Sequence, residues 1–208
     1  MARNKETNKL MRSTMKRRLI TAAVDLISEK GYFAVSPKDI TAHAEVSSGI
    51  FYHYFKNKLE LVSIFINEIG MTLAEHLDAF FSSKGDFEHD YQQAFKALFD
   101  FIEPNHKYFK IFMLEYNNPE LKSLFDNILY NKLIPDSNRR LLNQGKDGLI
   151  RTDINHQIIS HLSFFAGIEA IRLYIMDGID KELIIDTMVK WLVSGLENKE
   201  TKQTLHAV

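Results

Sequence analysis

Between Leu19 and Leu196 the apolar residues return at intervals of three, four, seven and eight, and no stretch alternates long enough to make a strand. Leu19, Ala22, Ala23, Leu26 and Ile27 set the pattern on one helical face. Punctuation between such runs marks where helices stop. Gly31 follows the first, Pro104 and Asn118-Pro119 close two later ones, and a turn cluster occupies Gly145-Lys146-Asp147-Gly148. The expected helices cover 18–30, 36–44, 47–55, 59–82, 87–102, 107–116, 120–143 with a kink or break at Pro135, 155–176 and 181–197. The chain is therefore expected to be all-α.

Its 208 residues contain no cysteine, which excludes disulfide scaffolds, thiolate metal sites and cysteine nucleophiles and suits a cytoplasmic protein. The start is polar and basic, without a signal-like apolar core, and the most apolar stretches are interrupted by Glu68, Glu169 and Arg172. No membrane association is expected. The net charge of −1 conceals an asymmetry: residues 1–60 carry 11 Lys/Arg against 6 Asp/Glu, while the remainder carries an acidic excess of six. A basic first quarter on an acidic body points to a polyanionic partner.

The most informative stretch is the short helix pair at 36–44 and 47–55, joined by a tight turn at Glu45-Val46. Ser36 can cap the first helix, Pro37 suits its first position, and Asp39 can reach back to the cap nitrogen. Ser47, Ser48 and Gly49 put small groups at the start of the second, followed within a turn by the polar tips of Tyr52, His53 and Tyr54. That is the spacing of a helix-turn-helix, whose second helix enters the DNA major groove.

Residues 40–58, Ile-Thr-Ala-His-Ala-Glu-Val-Ser-Ser-Gly-Ile-Phe-Tyr-His-Tyr-Phe-Lys-Asn-Lys, resemble the DNA-binding signature of TetR-type transcriptional regulators, and the resemblance extends over about 16–65. It implies a basic arm at 1–15, a three-helix DNA-binding domain at 16–60, and a larger helical effector-binding and dimerisation domain at 61–208. It also implies that Ser47, Ser48, Gly49 and Ile50 face the major groove, and that Tyr52 and His53 touch backbone or base edges. Lys58 and Ser36, with Lys38 nearby, would meet phosphates. Phe51, Phe55, Ile40 and Val46 fall on the apolar side. Three residues depart from the usual pattern. Glu45 stands where glycine is common in the turn, Ile50 where threonine is common, and Leu59 where an acid is frequent.

Lys16, Arg17 and Arg18 are read as the N-terminal turn of the first helix, where positive charge opposes the helix dipole unless a phosphate is near. Arg17 and Arg18 are accordingly expected to contact DNA. The last two helices are apolar around most of their circumference, with Ile158, Leu162 and Phe165 on one side of the first and Ile168, Ile171 and Ile175 on another. A homodimer through these two helices would set two recognition helices on a near-palindromic operator. Residues 87–130 hold 11 of the chain's 24 aromatic residues, a composition able to line an apolar cavity. The expected effector is a small hydrophobic or aromatic molecule, with Phe95, Phe99, Tyr108, Phe112, Tyr116 and Phe164 as candidate lining. Its binding would tilt the helix at 59–82 and separate the recognition helices. No phosphate loop, dinucleotide fingerprint, nucleophile elbow or metal-spaced histidine pair occurs, so neither enzyme activity, metal nor cofactor is expected. The competing reading is a helical protein-interaction module that never binds DNA.

Overall fold

The computed structural model describes residues 2–80, 87–148 and 150–196. Among them there are helices and turns and no β-strand: α1 Ala2–Lys30, α2 Pro37–His43, α3 Gly49–Tyr54, α4 Lys58–Phe80, α5 Phe87–Ile102, α6 His106–Glu115, α7 Lys122–Ile128, α8 Ile134–Lys146, α9 His156–Asp177 and α10 Lys181–Leu196. The all-α expectation holds. The expected ends of the fourth helix near Ser82 and of the last at Glu197 lie outside the described residues, as do the side chains of Arg3, Lys5 and Lys9.

α1 is longer than its apolar periodicity suggested. Between Ala2 and Lys30 there is neither glycine nor proline to stop it, and lysine, arginine, methionine and glutamate are good helix formers. Lys16, Arg17 and Arg18 therefore sit in mid-helix, away from the helix N-terminus at which they were expected. α1 ends where expected: Gly31 adopts a left-handed φ of +82°, and its N–H donates to the Ile27 carbonyl at 2.9 Å.

Pro135 does more than kink a helix. It is the second residue of α8 and is preceded by a π-helical turn over Leu129–Leu133 that separates α7 from α8. Proline offers no N–H, and its ring crowds the carbonyl four residues back, so the regular bonding ladder widens before it. At the last residue of α7, just before that turn, Gly70 of α4 admits Ile128 so closely that a Cβ would stand 2.7 Å from its Cγ2.

The chain divides into two compact units, one of Met1–Ile69 with Lys110–Phe125 and the other of Gly70–Phe109 with Asp126–Val208. The first has its core in Leu19, Ala23, Ile27, Tyr32, Ile40, Phe51, Phe55, Leu61, Ile111 and Leu121. In the second, α5 packs on α10 and α8 on α9, burying Phe95, Phe99, Ile102, Leu141, Ile171, Ile185 and Val189. Asn155 caps α9 through its side chain, accepting from the Ile158 N–H at 3.0 Å, and Gly178 ends it in a left-handed conformation. Glu103 ties α5 to α9 and α10, accepting from the Tyr174 hydroxyl at 3.0 Å and from Lys181 at 2.7 Å.

α9 is long and apolar enough, by length and composition, to pass as a membrane span, yet only 17% of its most apolar window is buried in this chain. Ala170 and Ile171 face inward, while Ile158, Leu162 and Phe165 are exposed, as are Leu183 and Trp191 of α10. The second unit thus carries an uncovered apolar face.

Candidate nucleic-acid interface

The expected capping box at the start of α2 is present. The Asp39 N–H donates to Ser36 Oγ at 3.2 Å, and Asp39 Oδ2 accepts from the Ser36 N–H at 2.8 Å and its hydroxyl at 2.5 Å. These bonds from Ser36 hold the Asp39 carboxyl below its ordinary range, because they favour the ionised form. α2 ends in a double reverse bond: the Glu45 N–H donates to Ala42 O at 3.0 Å and the Val46 N–H to Thr41 O at 2.9 Å. This closure requires a left-handed residue at Glu45, whose φ is +52°. Glutamate thus occupies a position suited to glycine, at a backbone cost of about 1 kcal/mol.

α3 starts one residue later than expected. Ser48, not Ser47, is its cap and makes no side-chain cap bond, and the Ser47 carbonyl accepts from the Ile50 N–H at 3.0 Å. The helix presents two chemically distinct faces. Phe51 and Phe55 are buried against each other, with ring centroids 5.5 Å apart. Ser47, Ser48, Gly49, Tyr52 and His53 are exposed, and Ile50 is half-buried. Above Gly49 there is open space, with no atom within 4 Å of where a Cβ would lie, so another backbone can come close. Ile40 joins the buried side; Val46 is half-buried.

The basic residues divide by environment. Arg17 and Lys38 are exposed. Arg18 reaches Glu45 at 3.4 Å with both side chains largely in solvent. Arg12 lies 6.0 Å from the Tyr54 ring, and Lys16 the same distance from the Phe55 ring. Lys58 departs from the phosphate role that the resemblance implies. Its Nζ donates to the carbonyls of Tyr32 at 2.5 Å and Val35 at 2.7 Å, and lies 3.9 Å from the Tyr32 ring centroid. Burial lowers its pKa, opposed by the carboxylates of Glu120 and Glu115. In this conformation the ammonium closes the α1–α2 loop.

A groove of about 720 Å³ runs beside α1, where Arg17 and Arg18 share the lining with Asp25, His43 and Glu68. The His43 imidazole lies 3.5 Å from Asp25, linking α2 to α1. Among the described residues no three His, Asp or Glu side chains are grouped to hold a metal ion.

The six candidate effector contacts are divided between the two units. Phe112 and Tyr116 belong to the first unit, where they form an aromatic cluster with Phe125. Phe95 and Phe99 are buried in the second, beside Tyr91 and Tyr174. Tyr108 and Phe164 are half-buried there, the latter edge-on to Phe165.

Sequence reasoning missed the residues that fix the α1–α2 loop. The Tyr32 N–H donates to Glu115 Oε1 at 2.8 Å, and its hydroxyl to Glu120 Oε2 at 2.9 Å. One signal was available: Glu115 is an acid in the last turn of α6, where the helix dipole disfavours negative charge.

Residues 19–63 match the family model for bacterial regulatory proteins of the tetR family. A protein described as the fatty acid metabolism regulator of Bacillus subtilis (strain 168) is 27% identical over 188 residues, covering 87% of this chain and 95% of the relative. Two solved structures share the fold. The fatty acid degradation regulator FadR from Bacillus halodurans has a TM-score of 0.76 at 20% identity, covering 87% of this chain and 95% of that one. FadR from Bacillus subtilis in complex with stearoyl-CoA has a TM-score of 0.74 at 22% identity, covering 86% and 98%.

Proposed function

We propose that the chain, whose residues 19–63 match the family model for bacterial regulatory proteins of the tetR family, is a DNA-binding transcriptional regulator acting as a dimeric repressor released from a near-palindromic operator by a small apolar effector. The observation that carries the reading is the two-sided α3. Phe51 and Phe55 anchor it, leaving Ser47, Ser48, Gly49, Tyr52 and His53 on the surface. Ile50, half-buried at the edge of that surface, would offer apolar contact to a thymine methyl rather than a hydrogen bond. Arg17, Arg18, Lys38 and the capped start of α2 at Ser36 would grip phosphates on either side.

The exposed apolar face of α9 and α10 supports self-association, because a partner copy would cover Leu162, Phe165 and Trp191. A two-fold pair would place its recognition helices about one DNA turn apart, roughly 34 Å. For the effector, the relatives favour a long-chain acyl thioester as the first compound to try. The aromatic side chains of Phe95, Phe99, Tyr108 and Phe164 suit an apolar chain of that kind, with Phe112 and Tyr116 as further candidates. Binding would act through α4, the helix that follows the DNA-binding helices, and the target DNA puts the protein in the cytoplasm.

The test is selection from a random duplex pool at about 150 mM salt, near physiological ionic strength, followed by titration of the selected duplex with stearoyl-CoA. A near-palindromic consensus whose complex dissociates with the thioester is the expected result. Retention without a consensus would refute sequence-specific regulation. A consensus insensitive to stearoyl-CoA would leave the repressor reading intact and remove that effector class.

A further inference from the structure

Tyr32 is held by every polar group it has. Its N–H bonds Glu115, its hydroxyl bonds Glu120, and its carbonyl accepts from Lys58, whose ammonium also lies over the ring. The side chain is 2% exposed. The two carboxylates lie 83 and 88 residues further along the chain, yet in the same compact unit. They are braced in turn by Asn118, whose Nδ2 donates to Glu115 Oε2 at 2.7 Å while its Oδ1 accepts from the Glu120 N–H at 3.0 Å. Gly31 makes room for this arrangement. Its φ is left-handed, and a Cβ there would stand 3.1 Å from Glu115 Oε1.

The loop so held leads directly into the DNA-binding helices. Four residues after Tyr32 comes Ser36, the cap of α2, and the same Lys58 that bonds Tyr32 also bonds Val35 and opens α4. The bond from Tyr32 N–H to a carboxylate is charge-assisted, the stronger class of hydrogen bond.

We propose that Glu115 and Glu120 are positioning residues for DNA binding: from the α6–α7 turn they lock the α1–α2 loop, and the lock is the element through which residues 110–125 control the helix-turn-helix. The inference rests on the DNA-binding reading above. Neither side chain touches DNA. They act by keeping the start of α2, where Ser36 and Lys38 stand, in the register that its phosphate grip needs. Anything that reshapes the α6–α7 turn withdraws the acceptor from Tyr32 and loosens that register.

The test uses the full-length chain and the selected duplex, with three readouts: duplex affinity, its salt slope, and hydrogen exchange at the Tyr32 amide. Glu115→Ala is expected to weaken the duplex about tenfold, the scale of one lost charge-assisted bond. The salt slope should stay unchanged, because no phosphate contact is removed, and the Tyr32 amide should exchange faster. Glu115→Gln should recover part of the affinity, since its amide oxygen can still accept from the Tyr32 N–H while the bond from Asn118 and the charge are lost. Gly31→Ala should mimic Glu115→Ala by pushing the carboxylate away. If Glu115→Ala binds the duplex like the unaltered protein, the proposal is overturned even where exchange is faster. Unchanged exchange at Tyr32 would overturn it too. Should the unaltered protein retain no duplex, the DNA-binding reading fails by itself, and the lock between the α6–α7 turn and the α1–α2 loop stands or falls on Tyr32 exchange in Glu115→Ala and Glu115→Gln.

Discussion

Glu45 is the residue at which local physics and function meet most directly. Its φ of +52° lies in the region glycine adopts freely, and its carboxylate sits beside Arg18, a candidate phosphate ligand. Glu45→Gly removes a backbone cost of about 1 kcal/mol and forfeits an exposed ion pair of about 0–1 kcal/mol. The net expectation is a small gain in urea stability. Glu45→Ala keeps the backbone cost and loses the pair, so it should unfold at lower urea than either. Equal midpoints for the glycine and alanine variants would show that the turn carries no such cost. Both variants should also bind duplex more tightly, because Arg18 no longer shares its charge with a neighbouring acid. Ser36 makes a second prediction at this scale. Its bonds depress the pKa of Asp39, so the stabilisation they supply is present above the ordinary carboxyl value of 3.8 and is lost as pH falls through the lower folded value. In Ser36→Ala the titration of Asp39, followed by NMR, should move up toward that ordinary value. The cap loss should cost about 1 kcal/mol at neutral pH. An unmoved Asp39 titration would mean that Ser36 is not what holds it.

Whole helices were more legible in the sequence than individual side chains, because their ends are set by local chemistry. Ser36-Pro37-Lys38-Asp39 and Gly31 each mark a boundary that nearest-neighbour chemistry can find. Where such a mark is missing, the periodicity misleads: α1 begins well before the apolar face that starts at Leu19 because no glycine or proline in 2–18 interrupts it. The start of α3 slipped by a residue for the opposite reason. Ser47 and Ser48 are equally good caps by type, and only the fold chooses between them. The apolar excess of the last two helices was also legible, and the element-scale prediction concerns it. Leu162 is 56% exposed in the single chain, so Leu162→Asp costs a monomer little. At a self-complementary interface the same change buries an unpaired charge twice. Light scattering should therefore report a dimer for the unaltered protein and a monomer for Leu162→Asp, with unchanged helical content. A variant that stays dimeric would move the interface away from this face of α9.

At the scale of the molecule, the asymmetry between a basic start and an acidic remainder predicts DNA binding that weakens steeply with salt. For duplex DNA the slope of log affinity against log salt is roughly −0.9 for each phosphate neutralised. The slope therefore counts which cations reach the backbone, and it can decide the role of Lys58. Sequence resemblance assigned Lys58 to a phosphate. Its partners in the fold, the carbonyls of Tyr32 and Val35, are 26 and 23 residues away in the chain, beyond what local pattern can foresee. The partner of Glu115 was out of reach for the same reason, at a still longer range, although its place as an acid in the last turn of α6 marked the residue itself. Arg17→Gln and Lys38→Gln, at exposed positions, should each reduce the slope by about one unit while leaving the unfolding midpoint nearly unchanged. Lys58→Met keeps the stem over the Tyr32 ring and leaves two carbonyls without their donor, so it should lower stability by about 1–3 kcal/mol. Its salt slope should match that of the unaltered protein. A Lys58→Met variant with normal stability and a slope reduced by one would return that ammonium to the phosphate backbone. Both effects together would mean that Lys58 exchanges its carbonyls for a phosphate when DNA binds, which would make the α1–α2 loop part of the binding step.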